Sequence, residues 1–274
     1  MFDASPAPRA ASLMQDRAFA AALMLCGQSP ILLPSGLMLL SRRVAGLPLL
    51  MLPRATPPAD LDAQLAQAGL ARRPLILSPE HPFKVPRALP LAPARNLWNL
   101  DLSGDRKTRR AALHQKWRHQ LGQAEAGPLR VLHRPLLPDH PLLALEAEQA
   151  RRRRYQNWPP ALTTAFARVA PAQTHLFTAL LRGHAVAHMV FLTHGDRATY
   201  HIGHTEAEGR HLHAHNLLLW RALEALVARG ITTLDLGVAT TPGIDRFKRR
   251  TGAQALPTGG TWLRWRPLAQ RCHP

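Results

Sequence analysis

Cysteine is nearly absent from this chain of 274 residues, in which only Cys26 and Cys272 occur. Two cysteines so far apart define neither a disulfide framework nor a cysteine-based metal site, so we expect two reduced thiols in a cytoplasmic protein. No apolar run approaches the roughly 18 residues of a membrane-spanning helix. The apolar residues 18–26 follow Asp3 and Asp16, which is atypical of a signal peptide, and we interpret them as part of a short buried helix.

Acidic residues are also scarce, because 17 Asp and Glu stand against 35 Lys and Arg, giving a formal net charge of +18 at pH 7. Such a charge attracts cofactor phosphates, nucleic acid or an anionic membrane, and it does not choose among them. The arginine bias of a GC-rich genome would give the same excess without any function. The content of 46% hydrophobic and 19% charged residues is typical of a globular protein.

Closely spaced prolines over residues 79–93 resist both helix and central strand, and they predict a domain boundary between residues 94 and 95. The preceding residues 1–94 read as a small α/β subdomain. Its apolar runs and turn signals predict a helix over 13–26, strands over 31–33, 37–42 and 47–52, a helix over 58–68 and a strand over 75–77.

Residues 95–274 open with a predicted strand over 97–102 and a helix over 105–126, with Ser103 as the candidate N-cap. A strand over 129–133 and helices over 141–153 and 160–170 follow. Three strand-like runs joined by short turns then cover 175–181, 185–193 and 198–203; after them come a helix ending at 229 and a strand over 232–236. Three antiparallel strands followed by a right-handed β-α-β crossover predict a mixed α/β sheet that opens a ligand cleft.

Four segments of this second part carry a family resemblance. They are residues 98–103 (WNLDLS), 113–118 (LHQKWR), 216–230 followed by 234–237 (LDLG), and 243–248 (GIDRFK) with Gly252. In order and spacing they resemble the acetyltransferase-type domain related to the Fem peptidoglycan aminoacyltransferases, within the GNAT superfamily. The resemblance implies a GNAT-like fold and transfer of an acyl or aminoacyl group to an amine. In Fem-type relatives two GNAT-like halves pack together, and residues 1–94 are then interpreted as a reduced first half.

The resemblance also implies a cofactor loop before the central helix. Many GNAT enzymes hold the pyrophosphate of coenzyme A there, on a loop of the form Arg/Gln-x-x-Gly-x-Gly/Ala. Residues 210–215 (RHLHAH) begin with Arg210 and contain Ala214, which fit the loop, but His213 replaces a glycine. The candidate cofactor-binding residues are Arg210, His211, His213, Ala214, His215 and Asn216. Fem-type relatives lack the glycine loop and use aminoacyl-tRNA, so the carrier is acyl-CoA (acetyl-CoA included) or aminoacyl-tRNA.

Acyl transfer to an amine needs a group that takes up a proton and donors or cations that stabilise negative charge. Lys248 lies in the segment that matches the family and is the candidate cation; the alternative is an exposed lysine in a basic run. Asp235, at the end of the crossover strand, is a candidate base or a plain hydrogen-bond partner. Glu206 and His204 are further candidate bases, and solvated loop residues are the alternative for the glutamate.

Histidines are crowded around the same loop, at positions 201, 204, 211, 213 and 215. Histidine side chains can bind zinc, but no partner carboxylate or cysteine accompanies this pattern. We therefore expect no metal. Phosphate contact at the positive end of the helix is the preferred interpretation.

A second basic group consists of four consecutive arginines, 151–154, followed by Tyr155 and Trp158. It reads as a groove for RNA or an anionic headgroup, or as a solvated helix end. The candidate substrate- or anion-binding residues are Lys116, Arg118, Arg154 and Tyr200.

Three functions follow from these patterns. The first is an N-acyltransferase that uses acyl-CoA and acts on a small-molecule or lipid amine. The second is aminoacyl transfer from tRNA, as in Fem enzymes. The third is a non-catalytic basic module that binds nucleic acid or touches an anionic membrane peripherally.

Overall fold

The computed structural model describes residues 11–44, 46–239 and 241–265. The first elements in chain order are α1 (Arg17–Leu25), β1 (Ile31–Leu32), β2 (Met38–Val44), β3 (Leu47–Pro53), α2 (Leu61–Gln67), β4 (Leu75–Ser78) and β5 (Leu89–Ala92). They are followed by β6 (Asn96–Asp101), α3 (Arg106–Ala112), α4 (Gln115–Ala126), β7 (Arg130–Arg134), α5 (Leu142–Arg153) and α6 (Pro160–Val169). The last are β8 (Thr174–Leu181), β9 (His184–His194), β10 (Arg197–Thr205), α7 (Ala207–His211), α8 (Ala214–Val227), β11 (Thr233–Val238), α9 (Pro242–Arg249), β12 (Gln254–Pro257) and β13 (Thr261–Arg264).

The described residues form two compact units, each assembled from two stretches of chain. Within the described ranges, the larger unit takes its residues from 11–13 and 98–255, and the smaller unit from 14–97 and 256–265. The predicted domains 1–94 and 95–274 differ from these units at both chain ends, because β13 pairs with β4 and β5 of the smaller unit. Cys272, one of the two predicted thiols, lies outside the described residues.

The smaller unit is built on a sheet with the strand order β1-β2-β3-β4-β13-β5. Its strands β1, β2 and β3 are antiparallel, and β4 is parallel to β3 after the helix α2. Leu39, Leu50, Leu52 and Leu75 fill its core. The predicted strands and helices of this part are therefore confirmed, but β5 was not expected among the prolines. It lies at the edge of the sheet, where a proline disrupts no central ladder.

The larger unit has a sheet with the order β12-β6-β11-β10-β9-β8-β7. Strands β7 to β10 are antiparallel neighbours, and β11 follows α8 and pairs in parallel with β10. The predicted meander and crossover are confirmed. The smaller unit has the same order of antiparallel strands followed by a parallel crossover. The core of the larger sheet packs against α4 and α8 and includes Trp117, Phe177, Phe191 and Trp220.

The helix predicted over residues 105–126 is two helices. Leu113 has an extended conformation, with φ −64° and ψ 138°, which ends α3. The ring of His114 then accepts a hydrogen bond from the backbone N–H of Lys116 over 3.1 Å and caps α4. The cap of α3 is also different from the prediction, because Asp105 rather than Ser103 accepts from the N–H of Thr108. No helix within the described ranges is long and apolar enough to cross a membrane.

Candidate functional site

The parallel strands β10 and β11 pair only where they begin. Residues 197–199 of β10 lie opposite residues 233–235 of β11, and β10 then runs on to Thr205 while β11 runs on to Val238. Through this stretch β10 stays paired to β9 on its other side. The start of α8 lies beside the end of β10, where His215 Nε2 is 3.0 Å from the carbonyl oxygen of His204. The diverging strands therefore open a cleft next to a helix N-terminus.

A β-bulge interrupts β10 within this diverging part. Tyr200 lies opposite Phe191, and Ile202 lies opposite the next residue of β9, Val190, so that His201 is the extra residue. The ring of His201 contacts the α6 side of the sheet, with Nε2 at 2.9 Å from the hydroxyl of Thr163. Bulges bend a strand and redirect side chains, and they are frequent beside active sites.

Two polar side chains bond the backbone of this bulge, and two more bond those side chains. The amide of Asn157 donates to the carbonyl oxygen of His201 over 3.2 Å, and that of Gln149 donates to the carbonyl oxygen of Gly203 over 3.1 Å. Both amides also donate to the carboxylate of Glu146, which in addition accepts from the hydroxyl of Tyr155 over 2.9 Å. Burial raises the pKa of Tyr155 to about 12, so its hydroxyl keeps its proton as a donor. We call these four residues the bulge cluster.

Three of the four residues of the bulge cluster line a cavity of about 820 Å³ between α5, α6 and β10. This volume is in the range of small-molecule sites. The wall combines the polar groups of Glu146, Tyr155 and Asn157 with the apolar side chains of Leu143 and Ile202. Arg151 and Arg154 also line it. We call this space the bulge cavity.

Lys248 and Asp235 lie together at the end of β11. Both are buried, and Lys248 Nζ donates to the carbonyl oxygen of Val238 over 3.0 Å. Asp235, the third residue of β11, accepts from the backbone N–H of Gly237 in the same strand over 2.7 Å. Burial lowers the pKa of Lys248, and the nearby carboxylates of Asp245 and Asp235 oppose that shift. The structure thus brings two of the predicted catalytic residues together.

Comparison with known proteins identifies the family. The model of the acetyltransferase (GNAT) domain matches residues 105–249, which is more than half of the chain. The chain belongs to the GNAT acetyltransferase family. A search of curated proteins gave no match.

Solved structures agree with the GNAT assignment over nearly the whole chain. FemX matches with a TM-score of 0.73 at 12% identity, covering 96% of this chain and 95% of that one. The C-terminal domain of a putative lysylphosphatidylglycerol synthetase from Agrobacterium fabrum matches with a TM-score of 0.59 at 13% identity, over 94% and 91% of the two chains. L-PGS from Bacillus licheniformis gives 0.55 at 10% identity, over 97% and 96%. At these identities the likeness establishes the fold alone. The protein is a transferase with a Fem-related GNAT fold, and the predicted two-half architecture is confirmed.

The predicted GNAT cofactor loop corresponds to α7 and the start of α8. His213 is the N-cap of α8 with φ 54°, the left-handed conformation that glycine adopts most readily, and its side chain makes no capping bond. Arg210 is exposed and donates to the carbonyl oxygen of Thr205 over 2.7 Å. His211 is exposed as well. Ala214 and Asn216 are buried within the first turn, and the ring of His215 is held at His204.

The other predicted residues differ in their exposure and in the element on which they lie. Glu206 is exposed at the N-cap of α7, whereas His204 is half-buried on β10, with its Nδ1 atom buried and without a hydrogen-bond partner in the described structure. Lys116 and Arg118 are exposed on α4 and do not line the bulge cavity. Arg154 lines that cavity. Tyr200 lies on the bulge, and burial raises the pKa of its hydroxyl.

Histidines form contacts with each other, but none of these contacts makes a metal site. The ring of His140 lies edge-on to His188 with 5.7 Å between centroids, and His133 Nε2 is 3.2 Å from His175 Nδ1. Among the described residues, no group of three or more His, Cys, Asp or Glu side chains is arranged to hold a metal ion.

Sequence reasoning missed the bulge cluster. Glu146 and Gln149 share the buried face of α5 with Leu142 and Leu143. Two polar residues at helical spacing in an apolar stripe are the signal that marks them, since buried polar groups require partners. Tyr155 is the one member of the cluster that the sequence analysis named, because it follows the arginine run.

Proposed function

We propose that this protein is an N-acyltransferase that takes an acyl group from coenzyme A, bound in the cleft between β10 and β11, and transfers it to an amine that reaches β10. The observation that carries the proposal is the divergence of these strands after residues 199 and 235. We assign the N-terminus of α8, the end of β10 and Lys248 with Asp235 to the two sides of this opening. An acyl carrier and an amine have to meet in such a space.

The start of α8 fits a carrier that contains phosphate. The helix has 14 residues, and the first N–H groups of a helix lack partners within it and carry partial positive charge. His213 supports the same backbone conformation that a loop glycine would provide, and it does not cap the helix itself. Arg210 lies in the short helix α7, which directly precedes α8, and adds a cation. Bound acyl-CoA would supply an activated thioester carbonyl.

The side chains of the cleft supply the remaining requirements for amide formation. We assign to Lys248 the stabilisation of negative charge on the acyl oxygen, because it is a buried cation at the end of β11. Asp235 holds the backbone of β11 near it through the N–H of Gly237. His204 is the candidate that takes up the proton of the amine, since its buried Nδ1 atom is without a partner in the described residues. Glu206 is the exposed alternative for this role.

Aminoacyl-tRNA is the second candidate for the carrier. The formal net charge of +18 and the resemblance to Fem enzymes favour it, because tRNA is a polyanion that basic proteins bind strongly. The acyl transfer chemistry is the same with either carrier, and an ester of the tRNA replaces the thioester.

Thermal unfolding of nucleic-acid-free protein tests the proposal at fixed, moderate salt. The ligands are acetyl-CoA, a long-chain acyl-CoA and coenzyme A, with ATP as the polyanion control. A ligand present at 100 times its Kd stabilises the folded state by about 2.7 kcal/mol. We expect one acyl-CoA to raise the Tm well above the ATP value. A shift no larger than that of ATP would overturn the coenzyme A proposal and favour aminoacyl-tRNA, for which retained tRNA and a matching absorbance ratio are the readout.

A further inference from the structure

We propose that the bulge cavity binds the acceptor, and that the acceptor is a primary amine joined through several carbon atoms to a carboxylate or phosphate. The amine lies at Glu146, and the anionic group lies at Arg151 and Arg154. This inference rests on the proposed acyl transfer and specifies the class of amine.

The carboxylate of Glu146 is buried and has no positively charged partner among its hydrogen-bond donors in the described residues. Only 7% of its surface is exposed, and the donors that reach its carboxylate, from Gln149, Tyr155 and Asn157, are all neutral. A carboxylate offers about four acceptor positions, so one more donor can bind. A buried charge is costly unless it is paired, and a primary ammonium is the partner that the cavity can admit.

The bulge cluster also places the carboxylate of Glu146 beside β10, the strand that borders the cleft. Asn157 bonds both Glu146 and the carbonyl oxygen of His201, and Gln149 bonds both Glu146 and the carbonyl oxygen of Gly203. An amine at Glu146 is therefore one side chain away from the bulge of β10. The two amides act as positioning residues that couple the amine site to the strand that borders the cleft.

The arginines give the cavity its second charged group. Arg151 and Arg154 line the cavity and are exposed, and no ion pair within the described residues engages them. Arginine stays charged at every relevant pH and binds carboxylate and phosphate through paired donors. Since α5 rises 1.5 Å per residue, the level of Arg151 is roughly 7 Å from that of Glu146. The two charges of the acceptor must therefore be several bonds apart.

Apolar side chains line the space between the charged groups. Leu143, Ala147 and Ala150 come from the same face of α5, and Ile202 faces them from β10. Methylene groups of an acceptor gain free energy by leaving water on such a wall, at about 0.8 kcal/mol for each buried CH₂. An aliphatic chain with an amine at one end and an anion at the other would therefore contact Glu146, the apolar wall and the two arginines in turn.

Isothermal calorimetry on the full chain without any acyl donor tests the proposal. The probes are 6-aminohexanoate, hexylamine and hexanoate, which carry both charges, the amine alone and the anion alone. We expect 6-aminohexanoate to bind at least about tenfold more tightly than either of the others, because each charge adds a charge-assisted hydrogen bond. Equal affinities for 6-aminohexanoate and hexanoate would overturn the site at Glu146.

Variants of the arginine run provide a matched control. Arg151→Gln with Arg154→Gln should weaken 6-aminohexanoate by about tenfold and leave hexylamine unchanged. Arg152→Gln with Arg153→Gln removes the same charge from exposed residues that do not line the cavity, and should change neither affinity. Equal losses in the two double variants would show a general charge effect and overturn the assignment. Glu146→Gln should weaken both amines; if it unfolds the protein, the arginine pairs still decide the question.

The acceptor site and the donor site fail separately in these measurements. Binding of 6-aminohexanoate with the expected variant pattern, but no Tm shift with acyl-CoA, would retain the bulge cavity and reject coenzyme A as the carrier. A Tm shift with acyl-CoA, but no binding of 6-aminohexanoate, would retain the donor and reject this class of acceptor.

Discussion

Gly203 lies directly beneath the hydroxyl group of Tyr200, and a Cβ atom at that position would overlap the hydroxyl oxygen. The two residues flank the bulge of β10, and the carbonyl oxygen of Gly203 is also the acceptor for Gln149. The shape of the bulge therefore depends on having glycine, which has no side chain, at position 203.

Gly203→Ala should destabilise the protein by about 1–3 kcal/mol, because Tyr200 has to leave its position in a packed region. Gly122→Ala is the matched control, since a Cβ there meets no atom within 4 Å and the residue lies inside α4. Alanine is favoured over glycine in a helix by about 0.5–1 kcal/mol, so this variant should be neutral or more stable. Urea denaturation of both variants measures the difference, and equal stability would contradict the packing argument.

Lys248→Met should reduce kcat for acyl transfer by about 10²- to 10³-fold, the usual loss when a group that stabilises transition-state charge is removed. Methionine keeps the length of the side chain in its buried position. The neighbouring Arg249 is exposed on the same helix, and Arg249→Met should leave kcat unchanged. Release of free thiol from acyl-CoA in the presence of an amine is the assay. Unchanged turnover in Lys248→Met would remove this residue from the catalytic assignment.

Buried histidines should make the protein sensitive to mild acid. Burial lowers the pKa of His175 and of His188 from 6.5 to about 4. Between these values the unfolded chain binds more protons than the folded protein, so the free energy of unfolding falls as the pH decreases. The contribution is fully present above pH 6.5 and is lost as the pH falls toward 4. At pH 5.5 the loss is about 1.4 kcal/mol for each histidine.

Urea denaturation at pH 7.5 and pH 5.5 measures this loss. His188→Gln should reduce the pH dependence by the share of His188 and leave that of His175, because glutamine does not titrate and still reaches Thr178, whose hydroxyl lies 3.0 Å from His188 Nδ1. His184→Gln replaces an exposed histidine at the start of the same strand, and it should retain the full dependence. The same slope in both variants would refute the role of His188.

The meander and the crossover could be predicted because their signals are local. The turns Arg182-Gly183 and Gly195-Asp196 separate apolar runs of strand length, and Arg182, Gly183 and Gly195 all have positive φ angles. Tight hairpin turns require that conformation, which glycine provides without strain. Helix α8 and the strand after it follow from the apolar spacing that ends at Gly230.

The parts that could not be predicted depend on contacts between residues far apart in sequence. The bulge at His201 is set by the register between β10 and β9, which a single strand does not reveal. Glu146 and Gln149 become a site only because Tyr155 and Asn157 fold back after Arg154, whose φ of 54° ends α5. The break at Leu113 was hidden because the apolar spacing continues across it.

Strand β13 has a consequence for the order in which the protein is completed during synthesis. It lies between β4 and β5 in the sheet of the smaller unit, although 168 residues separate it from β5 and 182 residues separate it from β4. The ribosome delivers residues 14–97 first, yet their sheet lacks an interior strand until residues 261–264 emerge. The larger unit has all its strands by residue 257 and is complete earlier. The sheet of the half that is translated first is therefore completed only after every strand of the larger unit has been synthesised.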